Sequence, residues 1–207
     1  MIPLSEDNTI RNGEHVIVPA GEVFNRVLGF DLKPDEKREA SLSLELHDKA
    51  KAMVSIYVRG EGELSINRTV NVLGNDAALD LWLFGETQKS SNVYCSDDVT
   101  VQGERVRVDL RTKNVLRDEA KSAVRQRVVL LPSAHGADAT QKIDHLLLGE
   151  KAVAEGIPEL DVQLDDVTCR HGATTSRPDP EAMFYLLSRG LTQDEAEKTF
   201  IHGFLGV

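Results

Sequence analysis

The chain has 207 residues, 41% of them hydrophobic, enough for one domain with a buried core. Lys and Arg number 24 against 34 Asp and Glu, and the formal charge of -10 repels phosphate backbones and anionic membranes, so neither nucleic acid nor a membrane is expected as a partner. Two cysteines are too few for a disulfide framework and suit a reducing cytoplasm, and no segment approaches the roughly 18 apolar residues of a membrane span.

Residues 1–40 are a lead-in whose structure the sequence leaves open. "MIPLSEDNTIRNGEHVIVPAG" carries charge where a signal peptide needs a continuous apolar run, and "EVFNRVLGFDLKPDEKREA" fits a helix, a strand and a loop in several combinations. From Ser41 to about Thr175 the chain becomes a succession of short alternating segments, among them "SLSLEL", "MVSIYV", "ALDLWLF", "RVRVDL" and "KIDHLLLG". Val54, Ile56 and Val58, then Leu79, Leu81 and Leu83, then Val106, Val108 and Leu110 recur at period two, as strands with one buried face require. The connectors "RGEG", "LGND", "FGET" and "PSAHGAD" are turns rather than crossover helices. Residues 41–176 therefore form a strand core, either an antiparallel sandwich or barrel or a solenoid of parallel coils; periodicity does not choose between them.

Residues 177–207 change character. Asp179 caps a helix whose first residue is Pro180, Gly190 accepts the left-handed turn that ends it, and Thr192 with Glu195 forms a capping box for a second helix. Met183, Leu186 and Leu187, then Ala196, Phe200 and Ile201, give each helix an apolar face. A hairpin this small must lean on the strand body, on a partner, or on both.

Phosphate loops, nucleophile elbows, H-E-x-x-H helices and C-x-x-C pairs are all absent. What remains is Cys169 and His171. Two residues apart on a strand, they point to one side with their α-carbons roughly 6.5 to 7 Å apart, a spacing that permits a shared metal or cluster. The competing reading makes Cys169 a small buried hydrophobe and His171 a turn residue. Tetrahedral coordination wants about four ligands, so His135, Asp144, His145 or a second subunit must supply the rest. Cys95 reads as packing, and Trp82, Phe184 and Tyr185 as core or contact aromatics.

"CRHGATT", "FYLLSRGL" and "HGF", in this order, resemble the carboxy-terminal half of the SufB/SufD family of iron-sulfur cluster assembly proteins, and "GADATQKIDHLLLGEKA" resembles the run into it. The resemblance is specific from about Gln126 to Phe204. It implies a mainly β fold, a right-handed parallel β-helix followed by a small C-terminal α-helical hairpin. It also implies a cytoplasmic scaffold rather than an enzyme, docked to a SufC-type ABC ATPase through Phe184, Tyr185, Ser188, Arg189, Gly190, Glu195 and Phe204. Cluster ligands at a dimer contact with itself or a SufB/SufD paralogue would include Cys169 and His171, with Asp144 and His145 as further candidates, and the iron-sulfur cluster would be held transiently. Cys169, His171, Gly172, Ala173 and Thr174 resemble the D type; the B type carries a cysteine where this chain has Ile143 and a glutamate where it has Gly172. Two alternatives remain: a β-helical zinc enzyme using His135, His145 and His171, and an ATPase-docking module without metal.

Overall fold

A computed structural model describes residues 13–206. The elements are β1 (Glu14–Val18), β2 (Val23–Leu32), β3 (Lys37–Leu46), β4 (Lys51–Gly60), β5 (Glu63–Val72), β6 (Ala78–Thr87), β7 (Asn92–Val101), β8 (Arg107–Leu116), β9 (Lys121–Leu130), β10 (Asp138–Leu147), β11 (Val153–Val162), β12 (Thr168–Ser176), α1 (Pro180–Ser188) and α2 (Gln193–Leu205). Each strand pairs in parallel with the next but one, so the odd-numbered and even-numbered strands build separate six-stranded sheets. Parallel pairing resolves the choice that periodicity left open: the body is a β-solenoid whose coils each give one strand to either sheet.

The alternation that marks the strands also fills the space between the sheets. Leu44, Val54, Ile56, Ile66, Leu81, Leu83, Leu110 and Val128 are fully buried in one continuous core, while their sequence neighbours face outward. Residues 14–32, which the sequence left open, contribute the two strands of the outermost described coil.

One corner repeats in every coil. The amides of Gly21, Lys49, Asp76, Arg105 and Gly136 each donate to a carbonyl of the following coil, on Asp48, Asn75, Glu104, His135 and Asp166. All five donors have positive φ, between 53° and 75°. The left-handed conformation costs lysine, aspartate or arginine roughly 1–2 kcal/mol, which this ladder of stacked hydrogen bonds offsets. The next residue, Ala50, Ala77, Val106 or Ala137, turns inward and is buried.

Both helices begin as their caps dictate. The Asp179 side chain accepts from the Glu181 amide, Pro180 opens α1, and Thr192 and Glu195 form the reciprocal box on α2. Only α2 leans firmly on the solenoid. Ile201 joins Val115 and Leu146 in a buried cluster on the outer face of the even sheet, with Phe200, Phe204 and Leu205 around it. Lys113 Nζ adds bonds to the carbonyls of Phe204 (2.6 Å) and Leu205 (3.5 Å), where the helix dipole favours a cation. α1 buries none of its residues, so Met183, Leu186 and Leu187 do not form the buried face that their spacing suggested. Among the described residues no helix is long and apolar enough to cross a membrane.

Candidate functional site

"CRHGATT" reads as a polar run, yet it is held extended as β12 because β10 supplies a complete parallel partner. Cys169 lies in register with Ala139, His171 with Gln141, Ala173 with Ile143 and Thr175 with His145. Those β10 residues all point into the solenoid and are buried. By the period of two, Cys169, His171, Ala173 and Thr175 share that inward face. Two contacts agree: Cys169 packs against the core cluster, and Ala173 Cβ would lie 3.3 Å from a Cβ added to Gly156 on β11. β12 and β11 are the last strands of their sheets, so these side chains line the mouth at the solenoid's C-terminal end. Cys169 is half-buried and His171 exposed.

The other candidates are dispersed. His145 is fully buried, four residues along the strand from the Gln141 rung and so roughly 13 Å away. Its Nε2 lies 3.3 Å from Ser122 Oγ, which in turn accepts from Asn114 Nδ2 at 2.8 Å. Burial holds this imidazole down at about 4, against a smaller upward pull from Asp144. Asp144 sits on the outward face, accepting from Thr174 Oγ1 at 2.6 Å and pairing with Lys142 at 3.3 Å. His135 lies in the corner before β10, exposed and paired with Asp166 at 2.9 Å. His135, His145 and His171 thus occupy a corner, the interior and the mouth. Among the described residues no group of three or more His, Cys, Asp or Glu could hold a metal ion, which removes the geometric basis for the zinc-enzyme alternative.

Two further effects bear on Cys169. Burial, then the charge of Asp138, raise its pKa, while Arg170 pulls it down; metal ligation needs the thiolate, so a bound cation must displace the proton. Arg170 is drawn to the outer face, where it pairs with Asp138 at 2.9 Å. Cys95 is fully buried, and desolvation followed by Asp97 drives its pKa far upward, consistent with packing.

A polar column through the core escapes a reading based on motifs. Arg68, Asp97 and Gln126 occupy one rung position on β5, β7 and β9. Arg68 grips Asp97 at 2.6 and 2.9 Å with both side chains at 0% exposure. Gln126 Nε2 reaches Asp97 Oδ2 and Thr112 Oγ1 at 3.5 and 3.4 Å, and Gln141 Nε2 donates to the Gln126 carbonyl at 2.9 Å. Gln141 is the rung beneath His171, so the column ends at the candidate site. The available signal was polar residues at inward positions of otherwise apolar strands.

On the helices, Phe184 is 73% and Tyr185 55% exposed, with the Arg189 guanidinium 5.0 Å from the Tyr185 ring centre. Ser188 bonds back to the Tyr185 carbonyl and Gly190 takes positive φ at the turn. Glu195 is engaged in the α2 cap and Phe204 packs on the solenoid cluster. The candidate docking set thus divides into an exposed aromatic patch on α1 and residues that build the helical pair.

Residues 39–204 match the family described as SUF system FeS cluster assembly, SufBD core domain. Among curated proteins, SufD of Escherichia coli is 34% identical over 92 residues, covering 44% of this chain and 22% of that protein, and SufD of Bacillus subtilis is 40% identical over 91 residues, covering 44% and 21%. A SufBD family protein of Mycobacterium bovis is 37% identical over 94 residues, covering 45% and 11%. The matched stretch is thus about a fifth or less of each relative's length. With a match across most of its length and a parallel solenoid ending in two helices, the chain belongs to the SufBD family of iron-sulfur cluster assembly proteins.

Proposed function

We propose that the chain is a cytoplasmic scaffold of a SUF-type assembly complex and not itself a catalyst. Cys169 and His171 offer ligands to a nascent iron-sulfur cluster, which is cargo rather than a resident cofactor. The observation that carries this reading is their shared inward face on an edge strand, at an open mouth, with no third ligand beside them among the described residues. Two ligands are about half of a cluster's requirement, so a second copy of this chain or a SufB/SufD paralogue completes the set across the paired mouths. The aromatic patch of Phe184 and Tyr185, with Arg189, is the surface for a SufC-type ATPase, whose nucleotide-driven movement reaches the mouth through the short link from α1 to β12. That movement acts as a population shift between closed and open pairings.

Anaerobic reconstitution with iron and sulfide, read by absorption, together with pull-down of a SufC-type ATPase, tests both halves. Cys169→Ser and His171→Ala should lose the cluster absorption and keep the ATPase, while Phe184→Ser with Tyr185→Ser should lose the ATPase and keep the absorption. The upward pull of burial on the Cys169 thiol favours a second reading, a docking module without metal. A parent that binds the ATPase but gains no cluster absorption would select that reading, and unchanged absorption in Cys169→Ser would overturn the ligand assignment.

A further inference from the structure

The polar column that ends beneath His171 leaves one atom without a partner. Gln141 is 1% exposed, and its side-chain amide is held one way round: Nε2 donates to the carbonyls of Gln126 on β9 at 2.9 Å and of Glu159 on β11 at 3.3 Å. Turning the amide over would set its oxygen against two carbonyl oxygens, so these anchors fix which atom lies where. The remaining atom, Oε1, is buried, and nothing among the described residues donates to it. A buried acceptor without a donor is costly, and native cores rarely keep one without a purpose.

Among the described residues few donors lie within reach. On β10 the inward side chains to either side are Ala139 and Ile143, and the rung beneath is Leu110. Gln126, across the interior, already gives its Nε2 to Asp97 and Thr112. Cys169 stands one rung above and two residues along, with only a weak S–H to offer. Directly above is His171, in register with Gln141 on the same inward face, so the two side chains rise from backbones about 4.8 Å apart. Stacked side chains one rung apart bond to each other in amide ladders, and exposed His171 needs only a change of rotamer to do so here. A neutral imidazole has one N–H to give and one lone pair to keep.

We propose that Gln141 is a positioning residue for His171. Its Oε1 takes the ring N–H that faces the interior, which holds the imidazole in one tautomer and leaves the lone pair of the other nitrogen facing out of the mouth, where iron would meet it. A fixed acceptor on the second nitrogen is the usual way in which a metal-binding histidine is oriented. The orientation stands on the geometry of the column; iron as the group that meets the free nitrogen rests on the reading proposed above.

Proton–nitrogen correlation spectra of the imidazoles in the metal-free protein, well above the titration range of histidine, test this. In the parent, His171 should show a single tautomer whose N–H exchanges slowly with water. Gln141→Met keeps the volume but offers no acceptor, and should return His171 to the mixed tautomers and fast exchange of a solvated histidine. Gln141→Glu keeps an oxygen on the same stem and should restore the single tautomer. Anaerobic reconstitution with iron and sulfide extends the test to the cargo. A ferrous chelator should strip iron from Gln141→Met at a concentration about 10- to 100-fold lower than from the parent, with Gln141→Glu close to the parent. A parent that already shows both tautomers overturns the proposal, and so does a single tautomer that survives in Gln141→Met; a brace with a purely structural role would give one of these while still lowering stability. Iron released equally by Gln141→Met and the parent overturns the bearing of the orientation on iron. If neither variant folds, the parent's spectrum decides alone. A His171→Ala protein that holds iron as tightly as the parent overturns the ligand reading, and the metal-free spectra still decide whether Gln141 orients the ring.

Discussion

Replacing Asp97 by asparagine should destabilise the chain more than almost any other near-isosteric change. Arg68 is fully enclosed, and Asp97 neutralises it through two short bonds; its remaining contacts are the Trp82 carbonyl at 3.3 Å and the Cys95 sulfur at 3.8 Å. Burial, the largest single influence, would lower the Arg68 pKa, but the charges of Asp97 and then Cys95, with their hydrogen bonds, together outweigh it and the net shift is upward. A guanidinium is too basic to shed its proton at neutral pH, so without its partner Arg68 remains a buried charge. Breaking such a pair costs about 3–5 kcal/mol, against a total stability of roughly 5–15 kcal/mol for a typical domain. Removing both partners is different. Arg68→Met with Asp97→Leu eliminates the stranded charge and should lie within about 1 kcal/mol of the parent, or above it.

Urea unfolding of the parent, both single variants and the double variant measures the coupling directly. Because coils contact mainly their neighbours, a lesion in β7 can open the middle of the stack first, so the single variants should also show a broadened or two-step transition. An Asp97→Asn variant within 1 kcal/mol of the parent, at unchanged denaturant slope, would refute the reasoning. A double variant as unstable as the singles would refute it too.

Three other outcomes follow from the geometry. The unfolded chain protonates His145 near its ordinary 6.5, while the folded chain refuses that proton until about 4, so its contribution is whole above pH 6.5 and falls by about 1.4 kcal/mol per pH unit towards pH 4. Urea midpoints at pH 7, 6 and 5 should fall less steeply in His145→Gln than in the parent, and parallel curves would show the imidazole titrating normally. A Cβ on Gly103 would collide with the backbone carbonyl of Gly74, whereas one on Gly172 meets nothing within 4 Å. Gly103→Ala should therefore cost at least 1–3 kcal/mol and Gly172→Ala within about 0.5 kcal/mol, checked by thermal melts. Lys113→Met removes the cation beside the last carbonyls of α2 and should cost about 1 kcal/mol, visible as faster amide exchange at the C-terminal end of α2 with the solenoid strands unchanged.

The sequence announced most strongly those coils whose inward positions are all apolar. Val54, Ile56 and Val58 repeat without interruption, and so do Leu79, Leu81 and Leu83. β2 was obscure because Arg26 occupies an inward position, and the helical caps were legible because they are local. Parallel pairing was not legible from the strands themselves, since alternation is the same in either direction; the lack of Asn-Gly and Asp-Gly hairpin turns between the strands from Ser41 onward leaned towards it and the resemblance pointed to it. A second signal lay in the corners, where Lys49-Ala50, Asp76-Ala77, Arg105-Val106 and Gly136-Ala137 recur once per coil. It was hidden because the left-handed residue is different each time and only the small residue after it is constrained. At the site, the period of two gave Cys169 and His171 a common side. That this side faces inward, above Ala139 and Gln141, depends on a register about thirty residues away in sequence that no local pattern encodes.

The proposed coupling between helices and mouth has a physical route and a weak point. β12 ends at Ser176 and α1 begins at Pro180, so three residues join them, and Arg177 in that link donates to the Gly149 and Glu150 carbonyls at 3.1 and 3.4 Å. α2 is fastened elsewhere, to the face of β8, by Lys113, by the Arg117–Glu197 pair and by Ile201 against Val115 and Leu146. A partner that grips exposed α1 therefore pulls on two attachments. β12 is paired with β10 along all nine of its residues, while α2 rests on one small apolar cluster and two charged contacts. At about 1 kcal/mol per net backbone bond, the strand is the firmer of the two. Under such a load α2 would shift before β12, which would turn as part of the sheet. The inward face carrying Cys169 and His171 would then reorient without coming apart, as the proposed opening and closing of the mouth requires.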